Sequence, residues 1–322
     1  MNSVIRSPLY GLALAAALLP GSVHAWPDKP ITVIIPYAAG SSADTLLRQL
    51  SPEVSQRLGA TLIVQNTPGA SGIIGTRRVV QAPADGYTLL LGAANNFLID
   101  PLIYKDLNYD PRQALTPVLR LFEVPTVIAT NTRIPAKDIS SFQQHFNHTP
   151  QPLNYGSPGV GTTVHLASQT LTETLSLSAT HIPFNGVQPV IMALAANDIQ
   201  LMLGSLSAMQ SQISSGRLQP LAVIAKQRLA QLPDVATLRE QGIDADRLNN
   251  WWMLAAPRQT PPEIVARIQV AFQQALAGDS ISQHARNHGL LLIDDGPAPD
   301  LEKRLKEEAD YWEKRVSLTL KD

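Results

Sequence analysis

The sequence predicts two α/β units, each built on a parallel sheet flanked by helices. Short β-branched or aliphatic runs alternate with amphipathic helical segments along residues 31–91, and the same alternation returns along residues 154–225. A last aliphatic run at 252–256 precedes two helical segments, which indicates that the chain returns to the first unit. Ligands of such sheets bind beyond the carboxyl ends of strands, so a cleft between the units is the expected binding position.

The first unit opens with a strand at 31–35, because this run is β-branched and ends at Pro36. A helix follows from Ala43, since leucine or valine recurs at every fourth residue over 46–58 and Gly59 ends the pattern. The other predicted elements of this unit are a strand at 61–64, a helix through Val79 and Val80, and strands at 87–91 and 124–129.

The second unit repeats this order of strands and helices. A short strand at 154–156 leads through a glycine-rich loop into a helix at 162–175. The other predicted elements of this unit are strands at 181–184, 199–203 and 221–225 and helices at 187–196, 206–215 and 233–241. The chain then returns to the first unit with a strand at 252–256 and helices at 261–276 and 300–316.

The N-terminal residues have the layout of a secretory signal peptide. Arg6 supplies a positive charge, residues 9–19 form a short apolar run, and Val23 and Ala25 are small residues three positions and one position before a cut. The run is shorter than the ~20 apolar residues that span a membrane, so a periplasmic protein cleaved after Ala25 is expected. The predicted organisation is a signal peptide at 1–25, domain 1 at 26–125 and 246–322, and domain 2 at 126–245.

The composition of the 322 residues excludes several functional classes. Lys and Arg number 25 against 26 Asp and Glu, so the chain lacks the basic surface that nucleic-acid binding requires. It has no cysteine, which excludes disulfides, thiol nucleophiles and Cys-based metal sites. The seven histidines show no metal-binding spacing such as HExxH. A metal site is therefore not expected.

Two glycine-containing loops that precede helices are candidate anion sites. The first, at 36–44, contains Ser41 and Ser42 at a helix start, and the second, at 157–163, has the same layout in the second unit. Unpaired N–H groups at a helix N-terminus favour carboxylates, although capping by Ser42 or Asp44 is the alternative for the first loop. Neither loop matches a Walker A or GxGxxG nucleotide motif. Facing each other across a cleft, they predict a small carboxylate ligand.

His165 leaves a catalytic alternative open. It follows the helix start at Thr162 and could act as a base for Ser157 in a periplasmic serine hydrolase. The chain contains no GxSxG elbow, so local packing or capping is the favoured interpretation of this histidine. A structural envelope protein without a ligand pocket is a second alternative.

Two further segments favour packing roles. The glycine-rich segment 69–75 is interpreted as a turn that lets a helix lie close to the sheet, with ligand contact the lesser alternative. In the pair Trp251 and Trp252, alternation along a strand places one ring in the core and leaves the other free to stack on a ligand.

A series of short segments runs through the sequence in a fixed order and spacing. They are WPDKPI at 26–31, PYAAGSSAD at 36–44, NTPGASG at 66–72, PADGYTL at 83–89, YDP at 109–111, GSPGVGTTVHL at 156–166, HIPFNG at 181–186 and LPDVATL at 232–238. Through them, from Trp26 to about Val316, the chain resembles the Bug-type periplasmic solute-binding receptors, a family that includes the receptors of tripartite tricarboxylate transporters.

The resemblance implies a type II periplasmic-binding-protein (Venus-flytrap) fold. Two α/β domains would close around a small carboxylate, held through backbone N–H groups and ordered waters, with no catalysis and no cofactor. The implied partners are the membrane permease subunits of a tripartite tricarboxylate transporter, while an orphan or sensory role stays open. A monomer is expected.

The resemblance also assigns ligand contacts to five loops. They are Tyr37, Gly40, Ser41, Ser42 and Asp44 in the first loop, Ala94 and Asn95 after the third strand, Ser157, Gly159, Gly161, Thr162, Thr163 and His165 in the second glycine-containing loop, Phe184 and Asn185 after the next strand, and Gly204 and Ser205 after the one following. Where the family usually has Tyr-Lys-Gly, this chain has FNG at 184–186. The missing lysine removes a cation near the cleft, so a mono- or dicarboxylate is expected rather than a tricarboxylate.

Overall fold

Two β-sheets flanked by helices make up the described residues of the computed structural model, which are 26–104, 106–293 and 298–319. The signal peptide predicted at 1–25 lies outside this part of the chain. The strands are β1 (Ile31–Ile35), β2 (Leu62–Asn66), β3 (Thr88–Ala93), β4 (Leu115–Val124), β5 (Thr126–Asn131), β6 (Leu153–Ser157), β7 (Ala179–Pro183), β8 (Leu201–Ser205), β9 (Leu218–Ile224), β10 (Asn250–Pro257) and β11 (Leu291–Leu292).

Helices alternate with strands along much of the chain, as the sequence predicts. They are α1 (Ser42–Leu58), α2 (Ile73–Val80), α3 (Asp100–Ile103), α4 (Pro111–Ala114), α5 (Ile139–His148), α6 (Thr163–Thr174), α7 (Val187–Ala196), α8 (Leu206–Ser214), α9 (Pro262–Leu276), α10 (Asp279–His288) and α11 (Ala298–Thr319). A π-helical turn at Asn95–Ile99 links β3 to α3. Among the described helices, none combines the length and hydropathy that a membrane span requires.

Each sheet mixes parallel and antiparallel strands. The first has the order β11-β4-β10-β3-β1-β2, with β1 parallel to both neighbours and β10 antiparallel to β3 and β4. The second has the order β7-β6-β8-β5-β9, with β6 parallel to β7 and β8, and β5 antiparallel to β8 and β9. The α/β class is confirmed, and β10 and β5 add antiparallel pairing to the parallel core of each sheet.

Helix α1 shows how local sequence builds these elements. Ser41 has an extended backbone, and its side chain accepts the N–H of Asp44, which caps the first turn. Leu46 and Leu50 are fully buried on the face that packs on the sheet. Gly59 ends the helix with a φ of 76°, a left-handed conformation that glycine adopts without a Cβ penalty.

Two predicted elements are wrong. The strand predicted at 124–129 is divided between β4 and β5 by Pro125, which has no N–H to donate to a sheet. The helix predicted at 233–241 is absent, and turns take its place. There the N–H of Leu238 donates to the carbonyl of Val223, so this segment follows β9 instead of coiling on itself.

The chain passes between the sheets at two neighbouring points. Strands of the first sheet lie within 31–124 and 250–292, and strands of the second lie within 126–224. Asn249 links the two connections, because its Oδ1 accepts the N–H of Thr126 at 3.3 Å and its Nδ2 donates to Glu123 at 3.4 Å. The domain boundaries at 125/126 and 245/246 stay a prediction.

Helix α11 packs behind both sheets. Trp312 and Val316 are buried in one apolar cluster with Leu90 from the first sheet and Leu201 from the second. Arg315 on the same helix forms an ion pair of 2.7 Å with Glu173 on α6. The two units therefore share part of their core on this side, and the side that bears the strand ends is left for a cleft.

Candidate functional site

A cavity of about 290 Å³ lies between the two units. The first unit contributes Tyr37, Ser71, Ala93, Asn95, Asp100, Tyr104, Asn250 and Trp252, and the second contributes Pro158, Val160, Gly161, Thr162, Thr163 and Val164. An adjoining cavity of about 110 Å³ shares three of these residues and is also lined by Gly204 and Ser205. We call the larger space the cleft cavity.

The cleft cavity lies where strand topology predicts it. Tyr37 follows β1, Asn95 follows β3, and the loop at 158–162 follows β6, so each wall forms at the carboxyl end of a strand. Two other cavities are each lined by a single unit: one of about 370 Å³ beside α11 and one of about 290 Å³ beside His165. Of these three larger cavities, the cleft cavity is the one with opposed walls from both units and a helix N-terminus.

The second unit presents the N-terminus of α6 to the cavity. The Thr162 hydroxyl accepts the N–H of His165 at 3.2 Å and donates to the carbonyl of Gly159 at 2.8 Å, which fixes the first turn. Helix geometry leaves the N–H groups of Thr163 and Val164 without intrahelical acceptors. Both residues line the cavity, so the positive end of the helix dipole faces the space between the units.

Two stacked histidines hold this loop from behind. The Nδ1 atom of His165 accepts the N–H of Gly161 at 3.1 Å, and the Nε2 atom of His181 lies 2.7 Å from the Ser157 hydroxyl. The imidazole rings stack with centroids 3.8 Å apart. Burial, followed by the repulsion between the two rings, lowers the pKa of His165 to about 4, and burial lowers that of His181. Both rings are therefore neutral at pH 7.

The Ser157–His165 pair on which the hydrolase alternative depends is not formed. Ser157 is fully buried, and its hydroxyl donates to the carbonyl of Gly159 at 2.9 Å. The same hydroxyl lies 2.7 Å from Nε2 of His181, whose ring stacks on that of His165. His165 in turn uses Nδ1 on the loop. Among the described residues, His165 therefore makes no hydrogen bond to Ser157 and supports the loop instead.

The first unit presents a buried polar cluster formed by the π-helical turn. The Tyr37 hydroxyl lies 3.0 Å from Asn95 Oδ1, and burial raises the pKa of Tyr37, so the phenol stays a donor. The N–H of Asp100 donates to the carbonyl of Asn95, the i→i+5 bond that defines this turn and places the two residues on one side.

Asp100 is the charged member of this cluster. Only 4% of its surface is exposed, and burial raises its pKa to about 6. Its carboxylate accepts from Asn96 Nδ2 at 3.1 Å and from Asn95 Nδ2 at 3.3 Å. Among the residues that line the cleft cavity, Asp100 is the one with a charged side chain.

The glycine-rich segment and the tryptophan pair complete the first wall. A Cβ on Gly75 would lie 2.8 Å from the Cα of Pro36, which supports the predicted close packing of α2 on the sheet. Ser71 also reaches the cavity, although the sequence favoured packing over ligand contact for its segment. Trp252 lines the cavity, whereas Trp251 faces the core and stacks on Phe97 with centroids 5.9 Å apart. This is the alternation expected along a strand.

The first predicted anion loop already holds an internal carboxylate. Asp44 accepts the N–H of Gly40 at 2.9 Å, pairs with Arg48 at 3.0 Å and is 4% exposed. Its own side chain thus occupies the position where a ligand anion would bind at α1. Ten predicted contacts line neither the cleft cavity nor the adjoining one: Gly40, Ser41, Ser42, Asp44, Ala94, Ser157, Gly159, His165, Phe184 and Asn185.

The predicted residues in and around the cavity divide between its lining and its support. Tyr37, Asn95, Gly161, Thr162 and Thr163 line the cleft cavity. The adjoining cavity is lined by Gly204 and Ser205, while Ala94, Ser157 and His165 lie behind these walls. Asp100, Tyr104 and Asn250 were not predicted from the sequence, because only the polar residues within loop motifs gave a signal. In the described part of the chain, no three His, Asp or Glu side chains are grouped to hold a metal ion.

Comparison with known proteins yields one family. A family model described as "Tripartite tricarboxylate transporter family receptor" matches residues 46–315. A UPF0065 protein of Bordetella pertussis is 30% identical over 279 residues, which are 86% of this chain and 86% of that protein.

Two similar solved structures come from Rhodopseudomonas palustris. MatC with bound malate is 28% identical, with a TM-score of 0.71 over 90% of this chain and 99% of its own. A second protein, solved with adipate, is 28% identical, with a TM-score of 0.74 over 91% of this chain and 97% of its own. The family match covers most of the sequence and the fold agrees with these structures. This chain belongs to the tripartite tricarboxylate transporter receptor family of periplasmic solute-binding proteins.

Proposed function

We propose that this protein captures a small mono- or dicarboxylate in the cleft cavity and presents it to the membrane permease subunits of a tripartite tricarboxylate-type transporter. One observation carries the proposal: the N-terminus of α6 opens into a cavity of about 290 Å³ whose walls come from both units. Free N–H groups at a helix start bind a carboxylate through directed hydrogen bonds and the helix dipole. Orphan and sensory roles use the same capture step.

The charge of the cavity limits the ligand. No lysine or arginine is among the described residues that line it, so donors are limited to N–H groups, hydroxyls and amides. Such donors stabilise one or two carboxylates, whereas a third negative charge would lack compensation. Malate and adipate, found in two relatives, are dicarboxylates of the size that this volume holds.

We assign the ligand contacts in two groups. Tyr37 and Asn95 on one wall and Gly161, Thr162 and Thr163 on the other are proposed to contact the ligand directly. In the adjoining cavity, Gly204 and Ser205 are proposed to accept a longer ligand. We assign no direct ligand contact to the other predicted residues, in the loop before α1 and after β7, because they line neither cavity.

Closure of the units around the ligand is proposed to create the form that the permease recognises. The two chain crossings linked by Asn249 act as the hinge, and the loop at 158–162 already approaches α3, since a Cβ on Gly161 would lie 3.1 Å from Ile103. A ligand that contacts both walls favours the closed form through its extra affinity for it.

We place the protein in the periplasm as a monomer, with residues 1–25 removed and the domain bounds given above.

The hydrolase alternative receives no support from the site. Ser157 is fully buried, and His165 is hydrogen-bonded to the loop instead of to this hydroxyl, so we propose that the protein is not an enzyme. An assay with ester substrates distinguishes a hydrolase from a binding protein, because a hydrolase would release product at a rate that depends on Ser157.

The experiment uses the exported protein, purified from periplasmic extract. Native mass spectrometry would detect a co-purified acid, and thermal unfolding with a panel of mono- and dicarboxylates would detect binding as a rise in Tm. Thr162→Val removes the hydroxyl cap of α6, and Asp138→Ala removes an equivalent cap of α5 outside the cleft. Each loses about 1 kcal/mol of stability, but only Thr162→Val should also weaken ligand binding. A protein that no carboxylate stabilises would refute the proposed function.

A further inference from the structure

A buried carboxylate forms part of the wall opposite α6. Asp100 is 4% exposed, lines the cleft cavity and has only the amide groups of Asn95 and Asn96 as side-chain hydrogen-bond partners. No ion pair to Asp100 is present among the described residues. Buried charges in proteins are normally paired, whereas the described residues give this carboxylate two amide donors and no cationic partner.

The backbone holds this carboxylate in place. The π-helical turn sets Asp100 beside Asn95, and Asn96 is anchored by accepting the N–H of Ala93 at 3.0 Å and by donating to the carbonyl of Ser71 at 3.0 Å. A Cβ on Gly72 would lie 2.6 Å from Asn96 Nδ2, so only glycine leaves room for this amide. The cluster is therefore preorganised before any ligand arrives.

The carboxylate of Asp100 can accept more hydrogen bonds than the two amides donate. Two carboxylate oxygens offer about four lone-pair positions, while the two amides supply hydrogen bonds of 3.1 to 3.4 Å. The hydroxyls of Tyr37 and Tyr104 line the same wall, and the Tyr37 hydroxyl is already directed at Asn95. A donor carried by the ligand would complete the coordination of Asp100.

The two walls thus differ in what they recognise. The α6 wall offers N–H donors and the positive end of a helix dipole, whereas the opposite wall offers an anionic acceptor. A ligand that carried only carboxylates would bring like charge towards Asp100 and lose affinity. A ligand with a carboxylate at one end and a hydrogen-bond donor near the other would satisfy both.

We propose that Asp100 selects carboxylates that also carry a hydroxyl or ammonium group, which it binds while the ligand carboxylate lies at α6. This inference rests on the proposed function and adds to it a ligand class and the residue that discriminates. The chemistry is that of hydroxy acids and amino acids, which carry such a donor in the same molecule as a carboxylate. The raised pKa of about 6 leaves Asp100 ionised at pH 7.5, as a strong acceptor requires.

The experiment measures calorimetric binding of matched probes to the full-length protein at pH 7.5. Succinate, malate and aspartate share a four-carbon dicarboxylate frame and differ in having no donor, a hydroxyl or an ammonium; benzoate, 4-hydroxybenzoate and 4-aminobenzoate test an aromatic frame. A hydrogen bond to a charged group predicts that the donor-bearing member binds about ten- to a hundredfold tighter. The hydroxyl and ammonium arms identify which donor is preferred.

Asp100→Asn tests the residue itself. It keeps the shape of the side chain and removes the charge, so it should abolish most of the preference while binding of the unsubstituted acid stays equal or improves. Asp198→Asn is the matched control, because Asp198 is exposed after α7, and it should leave the preference unchanged. For the wild-type protein, lowering the pH from 7.5 to 5 protonates Asp100 and should reduce the preference in the same direction.

The outcomes separate the two proposals. Equal or tighter binding of the unsubstituted acids by the wild-type protein would overturn the selection by Asp100 and leave carboxylate capture intact. Succinate affinity that rises at pH 5, with no preference for malate or aspartate at either pH, would show that Asp100 responds to anions by taking up a proton instead. Failure of every probe to bind would count against the proposed function.

Discussion

The stacked histidines behind the α6 loop make stability depend on pH in a calculable way. An unfolded histidine titrates near 6.5, whereas burial holds the pKa of His165 in the folded protein at about 4. As pH falls through 6.5, His165 is protonated in the unfolded chain but not in the folded chain. Protonation therefore favours the unfolded chain, and folding stability declines until about pH 4. For His165 this amounts to about 2 kcal/mol lost between pH 7.5 and 5.

The variant that isolates this effect is His165→Asn. Its Oδ1 can accept the N–H of Gly161 in place of Nδ1, and it does not titrate. A variant is needed because Asp100 changes stability in the opposite direction over the same pH range. Its pKa is raised from 3.8 to about 6, so Asp100 is protonated in the folded protein at a higher pH than in the unfolded chain. The folded protein therefore gains stability from Asp100 as pH falls through that range.

Urea unfolding at pH 7.5 and pH 5 is the assay, with Asp100 present in both proteins. The wild-type protein should lose about 2 kcal/mol more of its unfolding free energy than His165→Asn over this interval. Equal losses in the two proteins would refute the reasoning, because they would mean that His165 titrates alike in the folded and unfolded states. Direct NMR titration of the imidazole gives the same answer independently.

Three other substitutions test the packing. Gly75→Ala would place a Cβ 2.8 Å from the Cα of Pro36. This clash should lower the unfolding free energy measured in urea by about 1–3 kcal/mol, despite the better helix propensity of alanine. An unchanged unfolding free energy would show that the helix is not packed this closely. Trp251→Phe should lower Tm, since it leaves the partly buried carboxylate of Glu308 without the N–H now 3.0 Å away, at a cost of about 1–3 kcal/mol; a Tm equal to that of the wild type would argue against this role. Arg315→Gln removes a partly exposed ion pair to α6 and should change urea stability by less than about 1 kcal/mol; a larger loss would show that the pair holds the units together.

Local signals in the sequence were sufficient for much of the fold. The apolar repeat over 46–58 and its closing glycine predict α1 to within one residue at its start, because the burial of one face and the end of the helix are both encoded locally. The loop before α6 was identified for a similar reason, since glycines and hydroxyls at a strand-to-helix junction have a direct geometric meaning. Thr162 and Thr163 line the cavity as this pattern suggests.

Features that depend on distant contacts were not accessible in this way. Strand β4 contains Pro117, Arg120 and Glu123, which obscure the alternation of a strand, and it forms because β10 pairs along its whole length. Asp100 lies in an apolar stretch and resembles an ordinary helix start. Its burial and its place in the cleft come from the π-helical turn and from Asn96, which no local periodicity indicates.

The position of β10 has a consequence for how the chain acquires its structure. This strand pairs with both β3 and β4 in the middle of the first sheet, yet it is made only after all of residues 126–224. During synthesis, the edges of β3 and β4 stay unpaired until β10 has been made, more than a hundred residues after β4. Pairing between strands so distant in sequence is slow. An unpaired edge of this kind is prone to association with other chains. We therefore expect folding to be limited by the docking of β10, and nascent chains that end before residue 250 to require protection from aggregation.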